Sequence, residues 1–165
     1  MKIHTLTASL VAGALLLAGC GKKDESANAG AATTANASAV ATLEFTANDS
    51  MKFNVTKVEV KAGQEVKVIL TNIGSMPKAA MGHNWVLLKK GTDGKAFSDA
   101  AVAAAATDYI PASMKEAVIA HTKTLGPKQT EEISFTAPTE PGDYVFLCSF
   151  PAHYVAGMHG VLTVK

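Results

Sequence analysis

From Ala41 onward the chain follows a period of two. Leu43 and Phe45 alternate with polar neighbours, as do Phe53 and Val55, and Val58 and Val60. Val66, Val68 and Leu70 resume the pattern after a turn at Ala62-Gly63. Such alternation in short runs, broken by Gly and Asn, predicts half-buried antiparallel strands. His83 to Leu88 (HNWVLL) reads as a further strand and Ile133 to Phe135 as another. After the turn Pro138-Thr-Glu-Pro-Gly142, Tyr144 to Cys148 and Val161 to Val164 complete the series. Phe97 to about Ala120 breaks the period: AAVAAAA and SMKEAVIA lie either side of Pro111. This segment predicts one or two short helices, capped by Ser98 and Ser113. Together these elements predict an all-β fold, a Greek-key sandwich or barrel of about eight strands with a short helical insertion.

The first forty residues follow other rules. Met1-Lys2 precedes an apolar run from Leu6 to Ala18 that ends in Leu17-Ala-Gly-Cys20. One positive charge before a short apolar stretch is an export signal, and a bilayer-spanning helix would need about 20 apolar residues. The ending resembles the bacterial lipobox, which implies cleavage before Cys20 and acylation of that cysteine. Gly21 to Val40 is small and polar, without apolar periodicity. It predicts a flexible tether with a root-mean-square span of roughly 25 Å. The organisation expected is a lipoprotein signal over 1–19, an acylated cysteine and tether over 20–40, and one domain over 41–165. Gly21 stands where an Asp would signal inner-membrane retention. The expected location is therefore the periplasmic side of an outer membrane, with the lipid as the only membrane contact.

Charge narrows the partners. All 15 basic residues are lysines, set against 14 acidic residues. Loss of a leader containing Lys2 leaves a neutral chain. Neutrality without arginine excludes the electrostatic footprint of a nucleic-acid binder, and there is no polybasic cluster to draw the chain to anionic lipid.

The chemistry concentrates near the C-terminus, in Cys148-Ser-Phe-Pro-Ala-His153-Tyr-Val-Ala-Gly-Met158. A thiolate, an imidazole and a thioether fall on one loop between two predicted strands, and His83 opens a strand far upstream. Taken singly, each has a structural explanation: a buried thiol, a core methionine, a surface histidine. Taken together, two imidazoles, one thiolate and a long axial thioether are the donor set of a blue copper site. Cys20 and Cys148 are thereby assigned separate roles, not a mutual disulfide.

Three stretches resemble the azurin family of cupredoxins. They are Met76 to Leu87 (MPKAAMGHNWVL), Val118 to Lys123 (VIAHTK), and Cys148 to His153 (CSFPAH) with Gly160 to Lys165. The resemblance covers residues 42–165 and implies a cupredoxin sandwich with a helical flap. It implies one copper ion held by His83, Cys148, His153 and Met158, with the carbonyl of Gly82 as a weak fifth donor. It implies that Asn84, with Phe150, supports the thiolate and ties two loops together. Two departures stand out. The domain lacks the N-terminal disulfide of azurins, and four residues, not three, separate His153 from Met158, as in the azurin-like auracyanins.

The function expected is single-electron transport with redox proteins such as cytochromes, reductases or oxidases, by a domain acting as a monomer. Copper storage or delivery is the alternative, favoured by open, exchangeable sites. An enzyme is not expected, because it would need an open coordination position. The electron-exchange face expected comprises Met76, Met81, His153 and Ala156, with the ring edge of His153 reaching the surface and Lys78 as the nearby charge. His121 and His159 are expected to be exposed bystanders, and Trp85 a core residue.

Overall fold

The computed structural model describes residues 39–165. The signal, Cys20 and all but the last two residues of the tether lie outside the described residues. Two sheets carry the domain. The first contains β1 (Ala41–Asn48), β2 (Lys52–Phe53), β4 (Glu65–Asn72) and β7 (Thr130–Thr136), in the order β2-β1-β4-β7. The second contains β3 (Lys57–Val60), β5 (Val86–Leu88), β6 (Val118–His121), β8 (Gly142–Leu147) and β9 (His159–Val164), in the order β3-β9-β8-β5-β6. β1 runs parallel to β4 and β3 parallel to β9, while the other pairs are antiparallel.

The inward positions of the alternating runs form the core. Phe45, Phe53, Val66, Val68, Leu70, Trp85, Leu87, Phe146 and Leu162 pack between the sheets. Trp85 stacks on Phe146 with centroids 5.8 Å apart, and Phe45 meets Phe146 edge-on at 5.1 Å. Burying aromatic and aliphatic side chains of this size supplies about 1.5–3 kcal/mol each, and this apolar core stands without a disulfide among the described residues.

β5 is buried on both faces, which accounts for its unbroken apolar run. Leu87 enters the core between the sheets, whereas Val86 and Leu88 pack outward with Phe97, Ile110 and Leu147. That second cluster lies under the helical flap. The flap contains α2 (Gly94–Ala101) and two 3-10 segments, Ala105–Thr107 and Ala112–Ala117.

The flap differs from expectation in three ways. Its helix starts earlier, capped by Asp93, whose carboxylate accepts from the Lys95 and Ala96 amides at 2.8 and 3.2 Å. Ser98 lies inside that helix, buried, and Ser113 lies inside the second 3-10 segment. Val118–His121, placed at the end of the insertion by its helical neighbours, is instead strand β6, paired with β5. A further short helix, α1 (Lys78–Met81), follows Pro77 and precedes Gly82.

Candidate metal centre

Three separate chain segments meet at one end of the sandwich. His83 lies just before β5 and forms an isolated bridge with Leu125. Its amide donates to Leu125 O at 3.1 Å, and Leu125 N donates back at 2.7 Å. Cys148 immediately follows β8 and Met158 immediately precedes β9. The β8–β9 ladder is extended by Cys148 N donating to Met158 O at 3.0 Å. Between these two sulfur residues the chain makes a compact turn. His153 N donates to Phe150 O at 3.1 Å, Gly157 N to Tyr154 O at 2.8 Å and Met158 N to His153 O at 2.9 Å. Gly157 has φ +90, a conformation open to glycine at little cost.

The side chains converge. One donor atom each from His83, Cys148 and His153 lies within 4.8 Å of the others. Cys148 Sγ is 3.3 Å from His153 Nδ1, and the two imidazole rings have centroids 4.8 Å apart. His83, Cys148 and Met158 are fully buried, and His153 is 1% exposed. Neither ring nitrogen of His83 has a hydrogen-bond partner. Buried polar groups are nearly always satisfied, so a solvent-free imidazole with both nitrogens bare points to a ligand between the donors.

Burial sets the protonation states. It pushes the imidazoles of His83 and His153 down to about 4. Both are therefore neutral at physiological pH, as metal ligation requires. The same desolvation pushes the Cys148 thiol up to about 12, opposed by backbone N–H groups of Asn84 and Phe150 directed at the sulfur. Without a cation the site holds a neutral thiol. A soft cation would displace that proton.

The supporting residues are fixed. Asn84 is fully buried. Its Nδ2 donates to Ser149 Oγ and Asp108 O, both at 2.8 Å, and its Oδ1 accepts from Ser149 N at 2.8 Å. The Phe150 ring lies 4.8 Å from the His153 ring and 4.8 Å from Tyr109. Gly82 is extended and buried. A Cβ there would approach Thr124 Cγ2 to 2.6 Å and the carbonyl of Lys78 to 2.8 Å, so only glycine fits without movement.

Comparison with known proteins agrees with this geometry. Residues 39–165 match the copper binding proteins of the plastocyanin/azurin family. The chain belongs to that family. It is 41% identical to azurin of Alcaligenes faecalis over 110 residues, 65% of this chain and 85% of that one. It is 40% identical to the outer membrane protein H.8 of Neisseria gonorrhoeae over 126 residues, 75% of this chain and 66% of that one. Dithionite-reduced auracyanin from Roseiflexus castenholzii superposes with a TM-score of 0.67 at 38% identity, covering 75% of this chain and 96% of the other. The fold is that of the cupredoxins, and His83, Cys148, His153 and Met158 are arranged as a type 1 copper site.

The remaining sequence expectations meet the structure unevenly. His153 is not a surface residue: it is 1% exposed, its ring packed against Phe150 and His83. The exposed parts of the face are Met76, 40% exposed, and Val155, 67% exposed. Met81 and Ala156 are partly buried. Lys78 is joined there by a second charge from a distant part of the chain: Lys52 on β2 donates its ammonium to the carbonyl of Ala156. That contact joins residues 104 apart in sequence, a separation no local pattern signals. His121 and His159 are exposed; His159 stacks on Tyr154 with centroids 4.6 Å apart.

Proposed function

We propose that this blue copper protein is a single-electron carrier of an extracytoplasmic compartment, tethered to a membrane by lipid at Cys20. The observation that carries the electron-transfer reading is the closed cage: two neutral imidazoles, one thiol and one thioether residue, all at 0–1% exposure. When bound, copper supplies a Cu(I)/Cu(II) couple. The residues supply the rest. His83 and His153 present unprotonated nitrogens. Asn84 and Phe150 aim amide N–H groups at the sulfur and withdraw electron density from it. Ladder and bridge bonds hold the donor-bearing backbone on both sides of the cage. The Gly82 carbonyl, held in extended backbone beside His83, would be the weak fifth donor. Full burial excludes water, which argues for a carrier and against either metal delivery or an enzyme with an open position.

The exchange face of this reading consists of Met76, Met81 and Ala156 with Val155, above His153. Such a patch desolvates easily and suits redox encounters, which bury under about 1,200 Å² in total. Mixing reduced protein with an oxidised c-type cytochrome and following both chromophores by stopped flow tests the carrier function. Repeated turnover without copper release is expected, and Met81→Lys should slow self-exchange about tenfold with unchanged colour. Copper leaving the protein on each cycle would refute the reading in favour of delivery. An unaltered Met81→Lys rate would move the exchange face elsewhere.

Anchoring is supported by Leu17-Ala-Gly-Cys20 and by relatives named as outer membrane proteins. In this reading residues 1–19 are removed, Cys20 is acylated, and residues through 40 tether the domain on the periplasmic side of an outer membrane. More than one acyl chain gives stable attachment. Exported wild-type protein should partition into detergent, and Cys20→Ser should release it or leave it uncleaved. A mature N-terminus without acyl groups, read by mass spectrometry, would exclude the anchor.

A further inference from the structure

We infer that Asp108, in the helical flap, is a positioning residue for the copper ligands and sets the reduction potential through its grip on both flanks of His83. The inference rests on the copper reading of the site.

Asp108 takes the left-handed conformation, with φ 53 and ψ 34, and Tyr109 follows it at φ 60. Two consecutive non-glycine residues in that region are uncommon, and Asp is among the side chains that tolerate it. The turn presents two acceptors of one residue in different directions. The carbonyl of Asp108 accepts from Asn84 Nδ2 at 2.8 Å. Its carboxylate accepts from Thr124 N at 2.8 Å and stands 4.0 Å from the Lys78 ammonium.

Each contact leads to the His83 segment, directly at Asn84 and through neighbouring residues at Thr124 and Lys78. Asn84 follows His83 directly, and its backbone N–H faces the Cys148 sulfur. Its side chain is shared between Asp108 and Ser149, the neighbour of Cys148. Thr124 precedes Leu125, the bridge partner of His83. Lys78 opens α1, whose carbonyl crowds Gly82. One aspartate therefore closes a ring of bonds around the His83 segment, from Asn84 through the flap to Thr124 and Leu125. If the left-handed turn that aims this backbone carbonyl relaxes, Asn84 keeps only Ser149 as a side-chain partner, and the amide facing the sulfur is freer to turn away.

The chemical consequence has a sign. An amide directed at a thiolate favours the more electron-rich, reduced state. Loosening Asn84 weakens that bond, so the potential falls. Loosening the His83 bridge raises the rearrangement accompanying each transfer, so self-exchange slows. Outer partners of metal ligands change affinity or activity by about 10–100-fold when removed.

Three variants of the copper-loaded full-length protein test this. Asp108→Ala removes the carboxylate and the preference for the left-handed turn. Asp108→Gly removes the carboxylate alone. Asp108→Asn keeps the turn and an acceptor for Thr124 N. Asp108→Ala should lower the potential in voltammetry, slow self-exchange about tenfold and lose copper to a chelator faster. Asp108→Gly should show a smaller change in the same direction, and Asp108→Asn should restore most of the wild-type behaviour. In the copper-free protein, the amides of His83 and Leu125 should exchange hydrogen faster in the Ala and Gly variants than in the Asn variant. A drop in stability with potential, self-exchange and chelator rate all unchanged would overturn the inference. If Asp108→Ala fails to fold, the Gly and Asn pair decides by the same readouts. If the wild type takes up no copper, the copper reading fails, while the amide exchange still decides whether Asp108 positions His83.

Discussion

Cys148→Ser abolishes the intense visible absorption of the oxidised protein and leaves the sandwich folded. The absorption requires sulfur-to-copper charge transfer, and Cys148 carries the thiolate of the donor set. A serine hydroxyl is a harder and far less acidic donor, so affinity for Cu(I) falls by orders of magnitude. Folding survives for a local reason. Burying a hydroxyl without partners costs about 1–3 kcal/mol, but at this position partners exist. The Asn84 and Phe150 amides are directed at the atom, and His153 Nδ1 lies 3.3 Å from it. The β8–β9 ladder bond from residue 148 is made by its backbone and is retained. Absorption spectroscopy and far-UV circular dichroism check the two halves. A serine variant that remained blue would remove the basis for the site.

The copper-free protein is most stable between about pH 6.5 and 9 and loses stability on either side. The unperturbed imidazole and thiol values are 6.5 and 9.0. In the folded chain burial pushes His83 and His153 down to about 4. Between pH 6.5 and 4 the unfolded chain therefore binds more protons than the folded one, and stability falls as pH falls. At 1.36 kcal/mol per pH unit the two histidines, each moved from 6.5 to about 4, together account for a loss of at most roughly 7 kcal/mol. The thiol acts at the other end. Pushed up to about 12 in the fold, it keeps its proton while the unfolded chain loses one. Stability declines again from pH 9 upward. Copper reverses the logic at the thiol, because binding releases its proton, about one per ion near neutrality. Urea midpoints at pH 4.5, 7.5 and 10.5, with and without metal, measure both limbs. Equal midpoints for the copper-free protein at pH 4.5 and 7.5 would show that the histidines are not buried as neutral groups.

The sequence disclosed the sulfur-rich loop most clearly, because Cys148, His153 and Met158 are close in the chain and chemically distinctive. The strands with one solvent-facing side were legible through their period of two. β6 was not, because Val118–Ala120 continues a helix-forming run and gains its strand character only by pairing with β5. The start of α2 was misplaced from Asp93 to Ser98. Asp93 before Gly94 carried an N-cap signal, but the apolar run that defined the helix began later. The contacts of Lys52 with Ala156 and of Asp108 with Asn84 and Thr124 had no sequence signature. They depend on how separate loops meet at one end of the sandwich.

The four donor residues are not anchored alike. His83 is bonded into a bridge on its own strand side, and Cys148 and Met158 close the ladder at the root of their loop. Only His153 rides on the turn between them, secured by turn bonds and packed on Phe150. For an ion arriving from solution, the cage thus has three walls set in sheet or bridge bonds and one set in a turn. Loading and loss of metal then depend on the stiffness of this short turn, braced from outside by Lys52, as well as on the bonds that hold the His83 segment.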